Sequence, residues 1–131
     1  MLAPCEVAVK TVAPAIRAQV AQALIQQHEM NQVDVAKILG ITQSAVSKYY
    51  KKVRGTTITL ENIPELQTIT NQIVALLLAN PVQQVEVTKL FCQACTLIRS
   101  QGLMCPLCQQ NQNPKIDGCD FCFDSRQLKV Y

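Results

Sequence analysis

Residues 32–51, QVDVAKILGITQSAVSKYYK, constrain the fold more than any other part of this 131-residue chain. Two short segments with helical apolar spacing meet at Gly40, and glycine tolerates the positive φ that a tight turn between helices requires. Ala36, four residues earlier, supplies the small side chain that two helices need where they cross at a steep angle. The spacing therefore predicts a helix-turn-helix rather than an ordinary helical hairpin inside a core.

The two predicted helices should share one apolar seam, leaving a small, polar and cationic outer face on the second. The seam consists of Val35, Ala36, Leu39, Ile41, Val46 and Tyr49. The outer face suits a helix lying in the major groove of DNA. Gln43 and Ser44 begin the second helix, closest to base edges, where glutamine can make bidentate bonds to adenine, and Lys48 can reach guanine or phosphate. The expected DNA contacts are Thr42, Gln43, Ser44, Ser47, Lys48, Lys51, Lys52 and Arg54, with Thr42, Lys51, Lys52 and Arg54 assigned to phosphates.

Charge is distributed unevenly, although the formal net charge is only +3. No acidic residue occurs between residues 35 and 60, where Lys37, Lys48, Lys51, Lys52 and Arg54 are found. A phosphate backbone attracts such local positive charge. A solvated lysine face is the alternative reading, but the overlap with the predicted helix-turn-helix favours DNA.

The segments before the helix-turn-helix are assigned from local signals. Residues 1–10 are predicted to form a short strand or extended arm, with Cys5 as a small buried hydrophobe. A helix should begin near Pro14, because proline suits the first turn. Asn31 and Thr42 are the expected N-caps of the two motif helices, the second of which should run to about residue 53.

A further helix, capped by Asn62 and ended by Pro81, is predicted to carry a wide apolar stripe: Leu66, Ile69, Ile73, Leu76 and Leu77. Such a stripe needs two surfaces to bury against, so we expect a homodimer seam here. A dimer would also match the two-fold symmetry of a palindromic operator. Another helix is predicted over residues 82–101.

No secretory signal is visible, and the longest apolar run, residues 74–79, is too short to span a bilayer. We therefore expect a cytoplasmic protein with no membrane association. Thiols stay reduced in that compartment, so seven cysteines indicate metal or redox chemistry rather than structural disulfides.

Six of the cysteines form three C-x-x-C pairs, separated by nine and ten residues. Two intervening residues let both thiolates turn toward one cation, which is why this spacing recurs in metal sites. The expected metal ligands are Cys92, Cys95, Cys105, Cys108, Cys119 and Cys122. Six thiolates exceed the four that one site takes, which leaves two alternatives: one pair stands outside the site, or there are two sites.

The cysteine spacing suits either zinc or an iron–sulfur cluster. Zinc would take four thiolates, and the CPLC and GCDFC segments resemble zinc knuckles. Against zinc, the first pair is expected at the end of a helix, and glycine follows the second cysteine of no pair. Helical surroundings and Pro106 after a ligand favour an iron–sulfur cluster, 4Fe–4S rather than 2Fe–2S. Zinc stays open as the alternative.

The chain resembles predicted archaeal transcriptional regulators that join a Cro/repressor-type (XRE-like) helix-turn-helix to a cysteine-rich C-terminus. The resemblance is carried by PCEVAVKTVAPAIRA (residues 4–18), VAKILGITQSAVSKY (residues 35–49) and the paired cysteines. It implies a cytoplasmic DNA-binding regulator, with Thr42, Gln43, Ser44, Ser47 and Lys48 at the DNA-contact positions.

Together these features predict a mainly α fold, in which a helix-turn-helix bundle carries a dimerisation helix and a metal-stapled cysteine-rich end. The expected division is 1–60 for DNA binding, 61–90 for dimerisation and 91–131 for the cysteines. We expect a homodimeric, sequence-specific regulator of double-stranded DNA whose cluster senses redox state or iron. A regulator with purely structural zinc and a small electron carrier are the alternatives. An enzyme is not expected, since there is no phosphate loop and only one histidine.

Overall fold

The computed structural model describes residues 3–52, 58, 60, 63–79, 83–110 and 122. Their regular elements are all α-helices: α1 Pro4–Lys10, α2 Val12–Gln26, α3 Gln32–Leu39, α4 Gln43–Tyr50, α5 Pro64–Leu78, α6 Gln84–Ser100 and α7 Cys105–Gln110. The predicted mainly α class is confirmed to that extent. Of the helices described, none is long and apolar enough to cross a membrane. The division into 1–60, 61–90 and 91–131 stays a prediction.

The first described element is a helix over Pro4–Lys10, so the strand or extended arm predicted there is wrong. A proline suits the first helical position, and the Glu6 carboxylate accepts a hydrogen bond from the Ala3 N–H at 2.6 Å. Val7 and Val12 are buried on the same side, while Val9 is 67% exposed. Val7 and Val9 therefore do not alternate as in a strand. The buried positions have helical spacing, which extends from Val7 in α1 to Val12 in α2.

Helix α2 is the central element and begins at Val12, two residues before the predicted start at Pro14. It contacts α1, α3, α4, α5 and α6. Its small side chains, among them Ala15, Ala18 and Ala21, are buried and let neighbouring helices approach from several sides. The first half of α2 packs in a hydrophobic cluster with α1 and the end of α6, and the second half packs in another with α3, α4 and α5.

Three of the five residues in the apolar stripe of α5 are buried within the chain, and the other two, Ile69 and Leu76, are half-buried. Leu66, Ile73 and Leu77 are at most 7% exposed, and α5 contacts both α2 and α6. The stripe therefore packs against two surfaces of its own chain, α2 and α6. The dimer seam was predicted because a second surface was needed, and α6 supplies that surface. The helix has Ile63 as its N-cap, whereas Asn62 and Pro81 lie outside the described residues.

Candidate nucleic-acid interface and cysteine cluster

The turn between α3 and α4 depends on the backbone conformation of Gly40, which has φ 66° and ψ 32°. The Ile41 N–H donates to the Ala36 carbonyl at 3.1 Å, and the Gly40 N–H donates to the Lys37 carbonyl at 3.4 Å. This pair of bonds satisfies two carbonyls in the last turn of α3. A Cβ at Gly40 would meet no atom within 4 Å, so the left-handed conformation, and not lack of space, calls for glycine here.

Both predicted N-caps are confirmed. The Asn31 side-chain oxygen accepts a hydrogen bond from the Asp34 N–H at 2.8 Å. The Thr42 hydroxyl oxygen accepts one from the Ala45 N–H at 3.1 Å. These bonds satisfy amide donors that a helix start leaves without an intrahelical partner. The Thr42 bond closes the first turn of α4, in which Gln43 and Ser44 lie.

The inner face of the α3–α4 pair is apolar, as the sequence predicted. Val35, Ala36, Val46 and Tyr49 are buried in the cluster that α2 and α5 share. The other two predicted seam residues are half-buried and pack against the same cluster: Leu39 and Ile41. The buried face of α4 is therefore turned toward α2 and α3.

The opposite face of α4 is open to solvent. Thr42, Gln43, Ser44 and Lys48 are exposed, and Ser47 is half-buried. The helix ends at Tyr50, earlier than the predicted residue 53.

Beyond the end of α4, the next two lysines are also exposed. These are Lys51 and Lys52, and Lys37 of α3 is exposed as well. The structure thus brings together seven of the eight predicted DNA contacts on or beside one helix, while Arg54 lies outside the described residues.

The described cysteines lie on three helices and at one isolated position. Cys92 and Cys95 are half-buried in the body of α6, so their predicted place at the end of a helix is wrong. Cys105 and Cys108 lie on α7, and Cys119 is outside the described residues. One member of each C-x-x-C pair packs in the hydrophobic cluster beside α1, namely Cys95, Cys108 and Cys122.

A buried arginine lies among these thiols. Arg99 of α6 is 7% exposed; its Nε donates to the Cys122 Sγ at 3.4 Å, and its Nη1 lies 4.0 Å from the Cys5 Sγ. Cys5 is exposed, so its predicted role as a buried hydrophobe is wrong. Arg99 was missed from the sequence, although it continues the helical face of Cys92 and Cys95 at i+7 and i+4.

Burial and neighbouring charges have opposite effects on the pKa values of Arg99 and Cys95. Burial opposes the charge of Arg99, but the hydrogen bond and the charge of Cys122 prevail and raise the pKa of the guanidinium. Burial also raises the pKa of the Cys95 thiol, and the nearby Arg99 offsets only part of that effect. The arrangement therefore favours a neutral thiol at Cys95 and a fixed positive charge between α1, α6 and Cys122.

The cysteine set has the chemistry of a metal site, because thiolates are the ligands that zinc and iron–sulfur clusters take. A positive guanidinium beside them would offset the negative charge of a thiolate-held centre. Within the part of the chain that the structure describes, however, no three cysteine, histidine or acidic side chains are placed to hold one metal ion. The identity of the ligands and of the metal therefore stays a prediction.

Comparison with known proteins gives no relative from which a role could be transferred. No family model matches the chain, and no curated protein or solved structure is detectably similar to it. The observations support a mainly α chain. It has an exposed face on α4 without acidic residues, and a region rich in thiols.

Proposed function

We propose that this chain is a cytoplasmic, sequence-specific DNA-binding regulator in which α3 and α4 act as a helix-turn-helix. The observation that carries the proposal is the two-sidedness of α4. Val46 and Tyr49 are buried against the core, while Gln43, Ser44 and Lys48 are exposed on the other side. A rigidly held helix with a small polar outer face can enter the major groove without burying unpaired charge.

The contacts divide by position along α4. Gln43 and Ser44 in the first turn are the proposed readers of base edges, with Gln43 suited to adenine. Ser47 and Lys48 follow one turn later, and Lys48 is suited to guanine or phosphate. Thr42, Lys51, Lys52 and Arg54 are assigned to the phosphate backbone, which positions the helix without specifying sequence.

Electrostatics support the same surface. Lys37, Lys48, Lys51 and Lys52 are all exposed, and the chain carries no acidic residue between residues 35 and 60. Positive charge concentrated in this part of the chain, rather than spread over the whole molecule, would orient the protein toward DNA as it approaches. Binding should then weaken steeply with added salt.

The proposed regulator acts as a homodimer on a palindromic operator. Its two-fold contact would have to use a surface other than the α5 stripe, because Leu66, Ile73 and Leu77 are covered by the chain's own helices. Val85 on α6 is 68% exposed and Leu78 on α5 is 41% exposed, so apolar surface does remain outside the stripe. Sedimentation with and without the selected duplex measures the stoichiometry.

The test of sequence-specific binding is selection from a random duplex library with anaerobically purified protein at low salt. We expect the selected pool to converge on one short sequence, arranged as an inverted repeat. A control selection with Gln43→Ala/Lys48→Ala protein should lose that convergence. A pool that stays random with the unaltered, folded protein contradicts the proposal.

The proposed regulator also carries a thiolate-held centre, which we assign to a 4Fe–4S cluster, with structural zinc as the alternative. The proposal is supported by the three C-x-x-C pairs and by the packing of Cys95, Cys108 and Cys122 in one cluster beside Arg99. Brown protein with iron and sulfide after anaerobic purification would support the cluster. Colourless protein with stoichiometric zinc would support the alternative, and protein with neither metal contradicts both.

A further inference from the structure

A cavity of about 310 Å³ lies between α2, α3, α5 and α6, away from the cysteines. Its walls are largely aliphatic and include Val20 and Ile73, each 2% exposed, together with the half-buried Leu39. The volume falls at the lower end of the range for pockets that bind small organic molecules. The cavity opens to solvent on the side of α6, where Gln84 and Thr88 line it and are exposed.

One cation faces this cavity. Arg17 of α2 lines the wall, and its guanidinium carbon lies 5.4 Å from the centre of the Phe91 ring of α6. Within the described part of the chain, Arg17 makes no ion pair, and no acidic side chain lines the cavity. This cation–π contact with Phe91 helps to hold the guanidinium at the cavity while leaving its N–H donors able to bind an anion.

We propose that this cavity is a binding site for a small organic anion, a carboxylate attached to an aliphatic body. Arg17 would hold the carboxylate through its paired N–H donors, the arrangement that the guanidinium makes most strongly. The side-chain amide of Gln84, at the start of α6, lines the same cavity and can donate a further hydrogen bond. The hydrocarbon would then occupy the space bounded by Leu39 and Ile73.

The site would bear directly on the helix pair proposed to read DNA. Ile38 and Leu39 line the cavity and immediately precede the Gly40 turn that leads into α4. A ligand in contact with these two side chains would alter how α3 packs on α2 and α4. This influence on DNA affinity rests on the proposed function, whereas anion binding itself does not.

The experiment is isothermal titration calorimetry of the full chain with octanoate, and with octanamide as an uncharged ligand of the same length. We expect octanoate to bind with a one-to-one stoichiometry at millimolar concentration or below, and octanamide to bind at least about tenfold more weakly. On adding octanoate, the NMR methyl signals of Leu39 and Ile73 should shift, which places the ligand in the cavity.

Variants separate the site from general effects of charge. Arg17→Gln should weaken octanoate binding about tenfold or more, and Arg17→Lys should retain part of it. Lys89→Gln is the matched control, because Lys89 is a cation on α6 that does not line the cavity. Circular dichroism verifies that each variant is folded.

Three results would overturn the proposal: no binding of octanoate at millimolar concentration, equal affinity for octanamide, or unchanged affinity in folded Arg17→Gln protein. The first result would indicate that the cavity is a solvent-filled gap or is covered by another part of the chain. DNA selection does not depend on any of these outcomes, so the site and the proposed function can fail separately.

Discussion

The side-chain amide of Gln22 donates a hydrogen bond to the backbone carbonyl of Tyr49, with 3.3 Å between nitrogen and oxygen. The bond joins the central helix α2 to the last turn of α4, where the Tyr49 carbonyl also accepts a hydrogen bond from the Lys52 N–H at 3.2 Å. Tyr49 itself is only 4% exposed. The orientation of α4 is therefore fixed from its buried side, and its outer face is presented by a rigid support.

Replacing Gln22 should weaken that support. We expect Gln22→Ala to lower the free energy of unfolding by about 1 kcal/mol, because the bond between α2 and α4 is lost, although the Tyr49 carbonyl keeps the Lys52 N–H as a donor. Urea denaturation monitored by circular dichroism measures the change. Gln26→Ala is the control, since Gln26 is exposed at the end of the same helix and should cost much less. Equal losses in the two variants would contradict a role for the α2–α4 bond.

Gly40 should be sensitive to substitution for conformational reasons alone. Gly40→Ala forces a side chain into the left-handed region, which costs roughly 1–2 kcal/mol. Gly40→Asn should cost less, because asparagine tolerates that region better. Denaturation midpoints measure both effects. An alanine variant as stable as the unaltered protein would show that the turn does not have the φ of 66° described above.

Arg99 should stabilise the contact between α6 and Cys122. Arg99→Met removes the charged hydrogen bond to the Cys122 Sγ and should lower the free energy of unfolding by about 1–3 kcal/mol under reducing conditions. A double-mutant cycle with Cys122→Ala separates this bond from other effects. If the two losses simply add, the Arg99–Cys122 bond contributes little.

The raised pKa of Cys95 predicts a loss of stability in alkali. The group loses its proton more readily in the unfolded chain, whose thiol has the ordinary value of 9.0, than in the folded protein. Its contribution is therefore fully present below pH 9.0 and is lost as pH rises through the folded pKa. Unfolding of metal-free, reduced protein on either side of that pH tests this prediction. Cys95→Ala should show a shallower decline, and an identical decline would contradict it.

Local signals explain why the α3–α4 pair could be predicted. Asn31, Gly40 and Thr42 each act on atoms within a few residues, so the helix ends and the turn that they form can be predicted from the local sequence. The helix at residues 4–10 was missed because V-A-V fits either periodicity over so short a segment. Its packing partners, which decide between them, come from distant parts of the sequence.

Other features depend on contacts that sequence spacing does not reveal. Cys5 and Arg99 meet across 94 positions, so neither could be assigned to the thiol group beforehand. The burial of the α5 stripe by α6 is likewise a tertiary result, and it removes the original reason for placing a dimer seam there. The Arg17 cavity needs four helices to form, so no single segment signals it.

The central claim is that α4 reads DNA sequence, and the most direct test is fluorescence anisotropy of a selected duplex. The duplex is titrated at several salt concentrations with the unaltered protein and with the Gln43→Ala and Lys51→Ala variants. We expect Gln43→Ala to cost about 1–3 kcal/mol on the selected duplex and almost nothing on random DNA. Lys51→Ala should weaken binding to both and lower the salt slope by about 0.9. Gln72→Ala and Lys10→Ala are exposed controls on α5 and α1 that should change neither quantity. If Gln43→Ala binds the selected duplex like these controls, α4 does not read DNA.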